Sequence, residues 1–179
     1  MIKYVTGDAT KPIIEHGIRV IAHVCNDLGG WGSGFVVALS NRWDNPEKKY
    51  RNWHEVMKDQ GGLKLGDIQL AQVRDEHGKI YVANMIAQHG YATFENPVAI
   101  RYGALMACTM KLKEWIGHLE AVKIGLDKKY FPFDTTIHMP RIGCGLAGGD
   151  WNIVSEIVEA TLGWYFDVFV YDLPEKEVL

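Results

Sequence analysis

Two glycine-rich loops carry the residues best placed to do chemistry. The first, Gly29-Gly30-Trp31-Gly32-Ser33-Gly34, follows the apolar run Val20-Ile21-Ala22-His23-Val24-Cys25-Asn26. The second, Gly143-Cys144-Gly145-Leu146-Ala147-Gly148-Gly149, follows Thr136-Ile137-His138-Met139-Pro140-Arg141-Ile142. Each opens into a helical pattern. Glycine has no Cβ, so backbone N–H groups can turn inward and come close to a ligand. A helix start just behind adds partial positive charge. Neither loop ends in the Lys-Ser/Thr pair of a nucleoside-triphosphate loop. Two such loops in one small domain suit a clamp on a diphosphate, with no metal and no cofactor expected.

Four side chains stand near these loops. His23 closes a buried strand three residues before Asn26. Histidine titrates near neutrality and can act as a general base or acid; the other reading is a hydrogen-bonded core histidine. Asp8, in Gly7-Asp8-Ala9-Thr10, is a natural turn or capping residue after a strand. Asn26-Asp27 reads equally as a plain turn. Asp150 starts the helix behind the second loop, where capping is the default role. Trp31, between glycines, covers either the core or a sugar. Cys25 and Cys144 read as small buried residues, since nothing nearby lowers a thiol pKa.

The elements that position these residues alternate. Residues 2–6 and 19–24 read as strands. A helix is expected from Gly34, with Phe35, Val36, Leu39 and Trp43 in phase. A second starts at Pro46, carries Tyr50, Trp53 and Met57 on one stripe, and stops at Gly61-Gly62. Strands at 68–73 and 80–85 are joined by a turn at Asp75-Glu76-His77-Gly78. Residues 97–118 read as the longest helix, with Ile100, Ala104, Ala107, Met110 and Trp115 roughly in phase. Residues 120–134 read as a surface connection that folds partly back. A strand at 136–139, an amphipathic helix at 151–162 anchored by Trp151, and a strand at 167–172 complete the chain. Alternation of this kind predicts an α/β fold, with a largely parallel sheet and helices on both faces. Ligands in such sheets sit outside the carboxyl ends of the strands, where both glycine loops fall.

Gly143-x-Gly145-x-x-Gly148 also matches the dinucleotide-binding fingerprint, with Asp172 near the place of the ribose-binding acid. That fold half needs further strands, and only seven residues follow Asp172. A nicotinamide dehydrogenase is therefore not expected.

Composition narrows the partners. The 179 residues suit one domain spanning 1–179. Net charge is −3, so duplex nucleic acid is not the expected partner, whereas one small anion held by backbone amides is compatible. The three cysteines, Cys25, Cys108 and Cys144, form no CxxC pair and suggest a reduced, cytoplasmic setting. No apolar run approaches the roughly 20 residues needed to span a bilayer. The first residues lead straight into structure, without a signal-peptide layout. A monomer without membrane attachment is expected.

Four separated motifs, in order, resemble the macro domain. They are Gly7-Asp8-Ala9-Thr10, Ile21-Ala22-His23-Val24-Cys25-Asn26, Gly30-Trp31-Gly32-Ser33-Gly34-Phe35, and Met139-Pro140-Arg141-Ile142-Gly143-Cys144-Gly145-Leu146-Ala147-Gly148-Gly149-Asp150-Trp151. The similarity covers essentially the whole chain. It is strongest to the single-domain branch containing ADP-ribose 1″-phosphate phosphatases and terminal ADP-ribose–protein glycohydrolases. The resemblance implies a three-layer α/β fold with a mixed, largely parallel sheet. It also implies roles. Asp8 accepts a hydrogen bond from the adenine amino group, and the Ala9 backbone serves the same base. Asn26 faces the distal ribose. Gly32, Ser33, Gly34 and Phe35 line the diphosphate and distal ribose, and Gly143, Cys144, Gly145, Leu146 and Ala147 cup the phosphates from the other side. His23 matches a histidine of the phosphatase branch and becomes the candidate base; Asp150 becomes the candidate acidic partner at the distal ribose. Gln88 and His89 border the pocket, and Tyr91 or Phe94 covers adenine.

Two departures matter. The glycohydrolase branch uses a Lys after a central strand, and an Asp just after the Gly-Cys-Gly-Leu run. Here the strand leads into Ala87-Gln88-His89, and Ala147 stands where that Asp would be. The Lys-dependent covalent route is not expected. The implied function is binding of ADP-ribose and hydrolysis of a group at its distal ribose C1″, either phosphate or a protein side chain. The alternative is a reader that binds ADP-ribose or ADP-ribosylated protein and releases it intact.

Overall fold

Strand β2 (Ile18–Asn26) is the axis of the molecule, and almost every residue in it is buried. In a strand successive side chains point to opposite faces. Val20 and Ala22 accordingly join one core cluster, and Ile21 and Cys25 join the other. A strand with both faces covered must be central. The computed structural model, which describes residues 1–124 and 134–174, places β2 inside a six-stranded sheet.

The other strands are β1 (Ile2–Thr6), β3 (Ile68–Asp75), β4 (Gly78–Gln88), β5 (Thr135–Pro140) and β6 (Asp167–Asp172). Their order is β1-β6-β5-β2-β4-β3. All neighbours run parallel except β3, the edge strand, which pairs antiparallel with β4. This is the expected mixed, largely parallel α/β sheet. A bidentate ion pair between Arg19 and Asp75, at 2.7 and 2.8 Å, ties the start of β2 to the end of β3.

Helices α1 (Phe35–Ser40) and α2 (Asn45–Met57) cover one face through Val36, Leu39 and Tyr50. Helices α3 (Tyr102–Ile124) and α4 (Trp151–Val158) cover the other. There Leu105, Leu112 and Ile116 of α3 meet Val154 and Val158 of α4 over β4, β5 and β6. Each such side chain, fully buried, contributes about 2 kcal/mol from removal of apolar surface from water.

The structure corrects three boundaries. The helix expected from residue 97 begins at Tyr102, because Ala99 and Ile100 donate their amides to the Ala147 carbonyl and Ile100 bridges to Gln88. Its buried stripe is Leu105, Cys108, Leu112 and Ile116, and Met110 faces outward. At its far end the helix runs on through Glu120, whose carboxylate accepts from the Thr135 hydroxyl at 2.5 Å. Most of the connection read at 120–134 lies outside the described residues. The last helix is α-helical only to Val158 and ends in a π turn, Glu159–Gly163.

Candidate functional site

The site forms along the carboxyl ends of the parallel strands. The chain leaves β2 at Asn26, whose side chain shapes the first glycine loop. Its Oδ1 accepts from the amides of Leu28 at 2.9 Å and Gly30 at 3.0 Å, and its Nδ2 donates to the Gly30 carbonyl at 3.0 Å. From α2, Tyr50 donates to the Asn26 carbonyl at 2.6 Å, and Arg51 donates to the Trp31 carbonyl at 2.9 Å. Trp31 resolves toward the core: it is buried against Tyr50 and donates through Nε1 to Ser40.

The second loop leaves β5 and closes on itself. Gly149 donates to the Gly143 carbonyl at 2.8 Å, and Gly148 donates to the Gly145 carbonyl at 3.0 Å. Gly148 has φ +70°, with the Pro97 carbonyl packed where a Cβ would stand. A side chain there would be both strained and blocked.

The two loops meet at Gly34, where a Cβ would touch Leu146 at 3.5 Å. Either side of Leu146 lies a cavity. One, of about 240 Å³, is walled by Ser33, Gly34 and Phe35 from the first loop, and by Gly143, Gly145 and Ala147 from the second. The other, of about 460 Å³, is lined by Asn26, Gly30, Gly32, Ser33, Gln88 and Tyr91, among others. The amides of Gly32, Ser33, Gly34, Gly145, Leu146 and Ala147 make no hydrogen bond among the described residues. Gly32 and Gly145 have no positive φ, and nothing lies within 4 Å of where their Cβ would be. Neither backbone conformation nor packing of the chain explains these two glycines. Open cavity does.

Asp8 lies on the same edge of the sheet, just past β1. Three strand spacings separate β1 from β2, about 14 Å. Asp8 Oδ1 accepts from the Thr10 amide at 2.9 Å and its hydroxyl at 2.8 Å, which is a turn of the expected kind. Its second oxygen has no partner among the described residues. Ala9 is buried beside Phe169 and Tyr171. The segment thus holds the end of a strip that starts in the glycine loops.

His23 lies on the α1 and α2 side of β2, 1% exposed. Its Nε2 sits 2.6 Å from Asn84 Oδ1 on β4, and its ring meets Trp31 edge-on at 5.4 Å. Burial pulls its pKa down to about 4, against smaller upward effects of its hydrogen bonds. His23 also contributes to the floor of the smaller cavity, but its burial, its bond to Asn84 and its lowered pKa favour the core-histidine reading over the base. Asp150 caps α4: its Oδ1 accepts from the Asn152 amide at 2.8 Å. Cys144 turns away from both cavities, with Sγ directed to the Ile142 carbonyl at 3.3 Å and its amide engaged by the Arg141 carbonyl. Burial pushes its thiol up to about 11, and burial raises Cys25 as well. Neither cysteine has the environment of a nucleophile.

Two residues change place relative to the sequence reading. Tyr91 lines the larger cavity beside Asn26, on the β4 side of β2, at the opposite end from Asp8. Phe94 is almost fully exposed. Arg141, quoted only as part of a motif, lines the smaller cavity and forms a bidentate pair with Asp172 at 2.7 Å. It also lies over the rings of Tyr4 and Trp151. Asp172, the apparent ribose-binding acid of a dinucleotide fold, is thus engaged by an arginine. Among the described residues no three His, Cys, Asp or Glu side chains cluster as metal ligands.

No family model matches the sequence. Among solved structures, a protein of unknown function from Bacteroides thetaiotaomicron is 40% identical, with a TM-score of 0.78 over 97% of this chain and 98% of that one. A macrodomain protein from Streptomyces coelicolor is 39% identical, with a TM-score of 0.68 over 96% of this chain and 99% of that one. Among curated proteins, the ADP-ribose 1″-phosphate phosphatase of Debaryomyces hansenii is 25% identical, over 96% of this chain and 100% of its own length. The chromodomain-helicase-DNA-binding protein 1-like of Danio rerio is 30% identical over 95% of this chain, but the chain spans only 16% of that protein. With the Streptomyces coelicolor macrodomain protein 39% identical and matched over 99% of its length, the chain belongs to the macrodomain family.

Proposed function

We propose that this macrodomain binds ADP-ribose across the two glycine loops and hydrolyses a group carried at C1″ of the distal ribose. One observation carries the reading: two loops that line one cavity, each with unengaged backbone amides, whose Gly32 and Gly145 are required by nothing in the fold. Backbone donors held in place suit a diphosphate. The free oxygen of Asp8, at the far end of the strip, suits the adenine amino group. The name of the yeast relative, a phosphatase acting on ADP-ribose 1″-phosphate, supports the same chemistry.

Hydrolysis adds water across the bond between the distal ribose and its substituent. The loops hold the diphosphate, so binding energy positions that bond in the larger cavity. The wall of the cavity is neutral. His23 reaches the floor of the smaller cavity but is buried and held by Asn84, which supports a reading in which activation of the water falls to the substrate itself. The same neutral wall favours the second reading, a reader without turnover. On either reading the partners are ADP-ribose and its conjugates, ADP-ribosylated protein among them, met by a monomer in the cytoplasm.

Calorimetry with ADP-ribose is expected to give a micromolar Kd, about −8 kcal/mol. Incubation with ADP-ribose 1″-phosphate and with ADP-ribosylated protein is expected to release inorganic phosphate or free ADP-ribose. Absence of binding would remove the proposal. Binding with no product from either substrate would select the reader.

A further inference from the structure

We propose that Tyr91 sets specificity for the group on the distal ribose, and that the group it favours is joined through an uncharged linkage rather than a phosphate. The inference rests on the ADP-ribose reading above and goes further along the same cavity. Its first ground is position. Residues 88–96 leave β4 next to the first glycine loop and are tied to it. His89 Nδ1 lies 2.7 Å from Asp27 Oδ2, and the Gly90 amide donates to Asp27 Oδ1 at 2.8 Å. Gln88 Nε2 donates to the Gly90 carbonyl at 2.8 Å, and Asn96 Nδ2 donates to the Tyr91 carbonyl at 3.0 Å. The backbone of Tyr91 is therefore held on both sides.

The second ground is the hydroxyl. It sits over Gly30, and a Cβ on Gly30 would run into it. Gly30 has no positive φ, so its backbone does not demand glycine. The space does: the Tyr91 hydroxyl and, at 2.8 Å, Asn26 Nδ2 both stand where a Cβ would go. The Tyr91 hydroxyl makes no hydrogen bond among the described residues, although a phenol both donates and accepts. It thus stands in the wall of the larger cavity with its hydrogen-bonding capacity open.

The third ground is charge. No residue lining the larger cavity is charged. A phosphate monoester carries about −1.5 to −2 at neutral pH. Moving such a dianion against a neutral wall costs free energy unless cations or many donors replace its water, and the unengaged Gly32 and Ser33 amides in that wall are, on the reading above, already taken by the diphosphate. Arg51, the nearest guanidinium to the loop, is engaged with Glu47 and the Trp31 carbonyl. A neutral carbonyl in an ester or amide linkage needs only one donor, and Tyr91 supplies it. The volume of about 460 Å³ leaves room for a side chain beyond the sugar.

The test measures Kd for three ligands with the full chain: ADP-ribose, ADP-ribose 1″-phosphate, and a peptide joined to ADP-ribose through a hydrolysis-resistant amide-type linkage. Wild type should bind the peptide conjugate more tightly than the 1″-phosphate. Tyr91→Phe keeps the ring and removes the hydroxyl. It should weaken the conjugate about three- to tenfold, the range of one hydrogen bond, and change free ADP-ribose by less than about twofold. Tyr91→Trp, which keeps an aromatic ring and a donor but moves the donor away from the phenol position, should also lose the preference for the conjugate, with a melting curve confirming the fold. Equal losses for all three ligands, no loss for the conjugate, or a wild-type preference for the 1″-phosphate would each overturn the inference while leaving ADP-ribose binding intact. Failure of wild type to bind ADP-ribose at all would overturn both this inference and the function it rests on.

Discussion

His23 offers the sharpest test, because two roles predict opposite results. Asn84 Nδ2 donates to the Pro46 carbonyl and to Gln69 Oε1, both at 3.2 Å, so its carbonyl oxygen faces His23. His23 Nε2 must then carry a hydrogen, and the neutral ring is satisfied. Protonation would bury a charge, and burial accordingly holds the pKa at about 4 against 6.5 in the unfolded chain. The sign follows from linkage. Between pH 6.5 and 4 the unfolded chain takes a proton that the native chain refuses, so stability is full above the upper value and lost as pH falls to the lower. The difference of two and a half units corresponds to about 3 kcal/mol at 1.36 kcal/mol per unit. His138, pushed to about 3 mainly by burial, acts in the same direction. The perturbation is therefore His23→Gln, and the assay is urea unfolding of both proteins at pH 7.5 and 4.5. The variant should lose about 2–3 kcal/mol of the wild-type acid dependence, leaving the part due to His138. At neutral pH its turnover per folded molecule should stay within about threefold of wild type. A general base would instead cost about a hundredfold. Such a loss, with the acid slope unchanged, would refute the core assignment.

Other substitutions test the strip itself. Asp8→Asn preserves the turn, since one side-chain oxygen still accepts from Thr10, but presents an amide donor to the adenine amino group. It should weaken ADP-ribose by about 1–2 kcal/mol, roughly tenfold, in calorimetry; unchanged affinity would make Asp8 a turn residue only. Gly32→Ala and Gly145→Ala add a methyl to open space, so their melting temperatures should match wild type while ADP-ribose affinity falls about tenfold or more. Gly148→Ala should do the reverse in origin, losing more than about 2 kcal/mol of stability because its φ of +70° and the Pro97 carbonyl both exclude a Cβ. Equal behaviour of all three glycine variants in thermal melts would dismiss the distinction between ligand-facing and fold-required glycines.

Much of this was legible from local chemistry. The continuous apolar run of β2 marked a buried strand, and the turn at residues 75–78 marked the junction of two strands, which pair antiparallel in the sheet. The glycine loops were visible because closely spaced glycines after an apolar strand have few other uses. What escaped was set by distant partners. Pro97 has the look of a helix start, yet the carbonyl of Ala147, fifty residues on, captures the next amides and delays the helix to Tyr102. Asn26 reads equally well as a ribose ligand or a loop organiser. Only the geometry shows its carbonyl oxygen and amide engaged by Leu28 and Gly30. Asp150 and His23 each fit two roles, and no sequence pattern distinguishes a cap or a core imidazole from a reacting group.

Tyr91 lies far from Asp8 for a reason that also explains the site. Adjacency along the chain says nothing about the side of β2 on which β4 falls. The order β1-β6-β5-β2-β4-β3 sets β5 on one flank of β2 and β4 on the other. The loops after β2 and β5 therefore meet directly, and their unengaged amides fall on the walls of one cavity. The loop after β4 can only reach the opposite flank, away from Asp8. A ligand laid along this edge has its ends read by different means: a carboxylate oxygen past β1, backbone dipoles at the middle, and a neutral wall with a tyrosine hydroxyl past β4. Two arginines at the glycine loops are already engaged, Arg141 with Asp172 and Arg51 with Glu47. Anion binding thus falls to backbone groups, whose direction the fold holds, and a chain with net charge −3 has no need of a basic surface to achieve it.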